Sequence, residues 1–97
     1  MASGLGLINY RVIDISANGE LVGLLDEAGH NHVVRPDLPT LALHDELMGA
    51  VAHPGVQLLM SRGAQQFHRV TMEYVNCAQI VMLNRMHPEA AADWLRA

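Results

Sequence analysis

Residues 8–26 read Ile8-Asn9-Tyr10-Arg11-Val12-Ile13-Asp14-Ile15-Ser16-Ala17-Asn18-Gly19-Glu20-Leu21-Val22-Gly23-Leu24-Leu25-Asp26. The first half of this stretch is rich in β-branched residues and lacks the spacing of an amphipathic helix, so it predicts a strand. A second apolar run, residues 20–26, follows Asn18-Gly19. Asn-Gly between two such runs is the strongest short-range hairpin signal, because a two-residue type I′ turn needs positive φ at both central positions. The register that follows sets Ala17 against Glu20, Ile15 against Val22, Ile13 against Leu24 and Arg11 against Asp26, with Val12 and Leu25 on the other face. Both faces are therefore apolar, and each needs cover from a helix or from a second subunit.

Outward from the hairpin, Ala28-Gly29 marks a second turn and residues 30–35 a shorter, more polar third strand. Pro36 and Pro39 then break regular structure. Residues 40–53 predict a helix: Leu43, Leu47 and Val51 recur at spacing four, Asp45 and Glu46 suit its early turns, and Pro54-Gly55 ends it. Residues 56–60 predict a fourth strand, and Arg62-Gly63-Ala64 a turn. In the fifth strand Val70, Met72 and Tyr74 alternate with Arg69, Thr71 and Glu73. Asn76-Cys77 reads as a tight turn before a sixth strand at residues 79–83. Pro88 and Glu89 open a short C-terminal helix at about 88–96, with Trp94 and Leu95 as its apolar edge. The expected fold is one α+β domain over residues 1–97. It has a mainly antiparallel, twisted sheet of five to six strands, partly closed like a small barrel, one central helix at about 40–53 and the short C-terminal helix.

Composition narrows the function classes. The chain of 97 residues is 51% hydrophobic and 16% charged, ample apolar material for a folded core and unlike a disordered chain. Cys77 is the single cysteine, so no disulfide forms within the chain. All six basic residues are arginines, which excludes lysine chemistry. The net charge of −4, with the arginines dispersed, speaks against nucleic acid and against an anionic membrane surface as partners. The N-terminal stretch lacks the basic and apolar regions of a secretory signal, and no apolar run approaches the roughly 20 residues of a membrane span. The expectation is a cytoplasmic protein with no cofactor.

Two constellations carry candidate chemistry. His30 and His32 share a strand face, and with His68, or with Asp26 or Glu27, they match the residue types of a metal site. The same positions also suit a polar edge strand. Met60, Met72 and Met82 fall in successive expected strands and, with Tyr74, could line an apolar pocket, although methionine fills cores more often. No serine sits in a Gly-x-Ser-x-Gly elbow, the glycines form no phosphate loop, and no catalytic residue is assigned. The expected function is a non-catalytic binding or interaction module that works as a homodimer and takes a small apolar ligand or a protein partner. The alternative is a small enzyme or metal-binding protein using His30, His32 and a nearby histidine or carboxylate.

Overall fold

The computed structural model describes residues 6–63 and 65–90. Six strands come first in the chain: β1 Leu7–Ile15, β2 Val22–Asp26, β3 Asn31–Pro36, β4 Glu46–Ala50, β5 Gly55–Ser61 and β6 Phe67–Cys77. Helix α1, Gln79–Met86, follows β6. The strands close into a barrel in the order β1-β2-β3-β6-β5-β4, with every pairing antiparallel. Two three-stranded meanders, β1–β3 and β4–β6, are joined along both sides by the pairs β1·β4 and β3·β6. Closure leaves these strands without a free edge. The architecture is thus mainly β, rather than α+β around a central helix. No described helix is long and apolar enough to cross a membrane.

Inside the barrel, Tyr10, Val12, Val22, Leu24, Leu47, Leu59, Val70 and Met72 form one buried cluster, joined by Val34 and Leu41. A second, smaller cluster lies outside the sheet, where Leu21 and Val33 pack against Met82 and Met86 of α1, with Ile13 beside them. Both faces of the first hairpin are therefore covered within one chain, one by barrel closure and the other by α1. The need for a second subunit at that hairpin disappears with this arrangement.

The hairpin register departs from expectation at one residue. Ile15 faces Val22, as the sequence implies, but the pairing shifts between Val12 and Asp14. Ile13 is the bulged residue. Beyond it Val12 faces Leu24, Arg11 faces Leu25 and Tyr10 faces Asp26, so the expected pairs Ile13–Leu24 and Arg11–Asp26 do not form. The bulge serves two cores at once. Ile15 packs against the barrel interior and Val12 lies within it, while Ile13 turns outward to the cluster under α1.

The turn is also longer than two residues. Ser16 N–H donates to Leu21 O and Gly19 N–H to Ser16 O, each at 2.9 Å, which leaves residues 17–20 as the loop. Of the Asn-Gly pair only Gly19 has positive φ, at 75°. Asn18 acts through its side chain instead: Oδ1 accepts Glu20 N–H at 3.0 Å and the Ser16 hydroxyl at 2.8 Å. Gly19→Val should cost about 1 kcal/mol, all of it backbone strain, since no atom lies within 4 Å of the added Cβ. Asn18→Gly should cost a similar amount through its lost hydrogen bonds, about 1 kcal/mol. Urea unfolding of both variants checks this, and an unchanged midpoint for Gly19→Val would count against it.

The expected helix at residues 40–53 is instead a crossover followed by β4. His44 takes a φ of 73°, incompatible with a continuing helix, and its N–H bonds Val12 O at 2.9 Å. The apolar stripe read from spacing four does not exist: Leu47 is buried, whereas Leu43 and Val51 are exposed. Strand pairing prevails because β1 needs a neighbour on its second side, which β4 supplies from Leu7↔Ala50 to Arg11↔Glu46. Gly49, costly in a helix, is required in the strand, because a Cβ there would come within 2.5 Å of Leu59 Cδ2. The expected sixth strand at residues 79–83 is the body of α1, and Asn76 and Cys77 complete β6 instead of turning. With the barrel already closed there is no edge for another strand. Met82 and Met86, four apart, cover the outer face of β2 and β3. A helical turn begins again at residues 88–90. The rest of the expected C-terminal helix, with Trp94 and Leu95, lies outside the described residues.

Candidate functional site

Three histidines are built into polar clusters, and the geometry of each decides what it can do. His32 on β3 is fully buried. Its Nδ1 accepts Asn76 N–H at 3.0 Å, which places the ring proton on Nε2, where it is donated to Asp26 Oδ2 at 2.8 Å. The Tyr10 ring meets the imidazole edge-on with centroids 5.9 Å apart. Asp26 Oδ1 accepts Ala28 N–H at 2.9 Å and His30 N–H at 3.0 Å, so the carboxylate also caps the β2–β3 turn. Burial pushes the Asp26 carboxyl up, but the His30, His32 and Ala28 hydrogen bonds together outweigh it and hold it below the usual carboxylate range.

A pH dependence follows. A depressed folded-state value means that Asp26 contributes its stability above the unfolded carboxylate value of about 4 and loses it as pH falls through the folded one. Glu73 acts in the same direction. Burial raises it, but Arg35 and Arg85, each 2.9 Å from a carboxylate oxygen, bring it down. Stability should therefore fall progressively below pH of about 4, and Asp26→Asn should flatten that acid limb. Denaturant midpoints across the acid range measure it; parallel limbs for wild type and variant would contradict the assignment.

His68, near the start of β6, is held between two hydroxyls: Nδ1 is 2.8 Å from Thr40 Oγ1 and Nε2 is 2.7 Å from Ser61 Oγ. Hydroxyl–imidazole contacts of this length resemble a nucleophile and its base. Among the described residues, however, no carboxylate is hydrogen-bonded to the ring to stabilise an imidazolium. What the contacts do here is pin the crossover to β5 and β6. His87, just past α1, donates from Nε2 to Asp14 Oδ2 at 2.7 Å and ties the helix end to the β1 bulge. Cys77 is half-buried, and burial pushes its thiol up, away from the reactive thiolate.

Of the residues singled out by the sequence, the structure brings His32 and His30 to Asp26, at 2.8 Å and 3.9 Å, but leaves His68 apart. His32 bonds the Asn76 end of β6 and His68 stands at the other end of that strand, while His30 is exposed beside the β2–β3 turn. Among the described residues no group of three or more metal-ligating side chains gathers. Met72 faces the barrel interior, Met82 is carried on α1 outside the barrel, Met60 is half-buried on β5, and Tyr74 is exposed on β6. These four line no common pocket.

What the sequence reading missed is a surface. Along β5, Gln57 and Leu59 are buried, so Val56, Leu58 and Met60 point outward. Their cross-strand partners on β6 are Thr71, Arg69 and Phe67, and Met60 also pairs with Met48 of β4. Directly opposed residues share a face. Val56, Leu58 and Phe67 are each more than half exposed, at 53%, 57% and 66%. Beside these apolar residues stand two exposed ion pairs: Arg69, opposite Leu58, reaches Asp37 Oδ2 from Nε at 3.6 Å, and Glu46 at the start of β4 pairs with Arg62 at 3.3 Å. A mainly polar cleft of about 260 Å³, lined by Asp37, Thr40, Gln66, His68 and Arg69 together with Leu38 and Phe67, adjoins it. The run Val56-Gln57-Leu58-Leu59-Met60 did hold a signal: apolar residues at both parities give the strand a second apolar face besides the one that the barrel interior takes up. Comparison with protein-family models, with curated protein sequences and with solved structures finds no match to this chain.

Proposed function

We propose that the protein is a non-catalytic binding module whose working surface is the outer face of β4, β5 and β6. The observation that carries this reading is the outward array of Val56, Leu58 and Phe67, flanked by Met48 and Met60, on strands whose inner residues already fill the barrel core. Scattered apolar residues on a surface need no explanation, but a contiguous array on a rigid sheet is how interaction sites present themselves. The corresponding outer face of β2 and β3 is covered by α1. Because the methionines do not converge, the reading favours a docking surface over a small-ligand pocket.

A photo-reactive side chain at position 58, with position 28 on the β2–β3 turn as control, tests the proposal in cells that make the protein. Irradiation should give a discrete cross-linked product from position 58 and none from position 28. Equal labelling from both positions, or none from 58, would overturn it.

A further inference from the structure

We propose that Asn18 is a site of spontaneous covalent modification, where the side-chain amide is lost by attack of the chain's own backbone, and that the loop of residues 17–20 gates the reaction. The attacking group is the amide nitrogen of the following residue. Its N–Cγ bond forms, the Cγ–Nδ2 bond breaks, and the displaced proton passes through water to the departing nitrogen, which leaves as ammonia. The product is a succinimide ring, which water then opens. Cleavage at Cγ gives aspartate. Cleavage at the main-chain carbonyl gives isoaspartate, whose backbone runs through Cβ and Cγ. A side chain on the attacking residue hinders its approach, and glycine carries none. Asn18 is the one asparagine of the five in the sequence that glycine follows; Asn9, Asn31, Asn76 and Asn84 precede tyrosine, histidine, cysteine and arginine.

The structure primes one partner of this reaction and withholds the other. Asn18 is exposed, and no atom lies within 4 Å of a Cβ position at Gly19, so a ring has room to close. Asn18 Oδ1 accepts Glu20 N–H at 3.0 Å and the Ser16 hydroxyl at 2.8 Å, two donors aimed at the oxygen on which negative charge develops during attack. The nucleophile is held back, because Gly19 N–H is donated to Ser16 O at 2.9 Å. That single bond is the gate, and opening an exposed loop costs far less than unfolding the barrel. The consequence reaches the packing of α1. Ser16 pairs with Leu21 through N–H to O at 2.9 Å and through Leu21 N–H to Oγ at 3.0 Å, and Leu21 packs with Met82 and Met86. Aspartate at position 18 keeps the acceptor oxygen and adds a charge. Isoaspartate lengthens the backbone by one atom, draws Gly19 N–H off Ser16 O and loosens the seat of Leu21.

Peptide mapping by mass spectrometry of the full chain, held at mildly alkaline pH in buffer and in urea, tests the proposal. Conversion of amide to acid should be confined to the peptide that holds Asn18, should yield isoaspartate as well as aspartate, and should run about tenfold or more slower in buffer than in urea. Leu21→Ala loosens the loop without touching a reacting atom. It should raise the rate in buffer severalfold and leave the rate in urea unchanged, with circular dichroism establishing that the variant is folded in buffer. Gly19→Ala sets a methyl group beside the nucleophile and should slow conversion in urea, where folding plays no part, by about tenfold. Conversion that is absent in urea, spread over the other asparagines, or equally fast in buffer and urea would overturn the proposal. So would a folded Leu21→Ala protein that converts no faster than wild type, or a Gly19→Ala chain that converts as fast as wild type in urea.

Discussion

Replacing His32 with Leu should destabilise the protein by about 3 kcal/mol or more, one of the largest losses expected from a single side chain here. Leucine occupies a comparable volume, so the cost comes from polarity rather than from a cavity. Two groups lose their partners together: the Asn76 N–H no longer has Nδ1 as acceptor, and Asp26 Oδ2 no longer has Nε2–H as donor. An orphaned buried amide costs about 1–3 kcal/mol, and a buried carboxylate that loses a donor costs more. Asp26 would keep its Ala28 and His30 hydrogen bonds. Asp26→Asn in the His32→Leu background should therefore recover part of the loss, since it removes the under-compensated charge. Chemical unfolding of the two single variants and the double variant measures this coupling; strict additivity would show that His32 and Asp26 do not act as a pair.

Leu24→Ala should cost about 2–5 kcal/mol, whereas Leu58→Ala should stay within about 0.5 kcal/mol of wild type. The two substitutions delete the same atoms from residues of similar sequence character, each in an apolar stretch of a strand. Leu24 has no exposed surface and belongs to the barrel cluster, so its truncation leaves a cavity among close-packed neighbours. Leu58 is 57% exposed and points away from that cluster. Melting temperatures recorded at low protein concentration, where association does not contribute, separate the two cases. Comparable losses at both positions would mean that β5 presents the opposite face to the core.

How far the sequence could be read depended on the range of the interaction that decides each element. The first hairpin, the turn at Ala28-Gly29 and the alternation of Val70 and Met72 in β6 are set by neighbours close in the chain, and the sequence showed them. The bulge at Ile13 was invisible, because its cause is a helix that arrives only at Met82 and Met86. Residues 40–53 carry a helical spacing, yet β1 takes Glu46 to Ala50 as its partner from far along the chain, and closure overrides local preference. In α1 the error ran the other way. Ile80, Val81 and Leu83 look like a strand, but the closed barrel offers them no edge. The histidines were legible as polar positions. Their partners Asp26, Asn76, Thr40, Ser61 and Asp14 were not, because only the folded register brings them together.

The central claim is that the outer face of β4, β5 and β6 is where this protein meets its partner. Methyl NMR spectra of the protein, recorded in buffer and then in an extract of the cells that make it, test it most directly, because each methyl reports on its own surroundings. The account predicts that the methyl signals of Val56 and Leu58 move or broaden in the extract, while those of buried Val12 and Leu24, and of the exposed Leu43 on the crossover, remain fixed. Signals that are invariant at Val56 and Leu58, or that move at Leu43 instead, would contradict it.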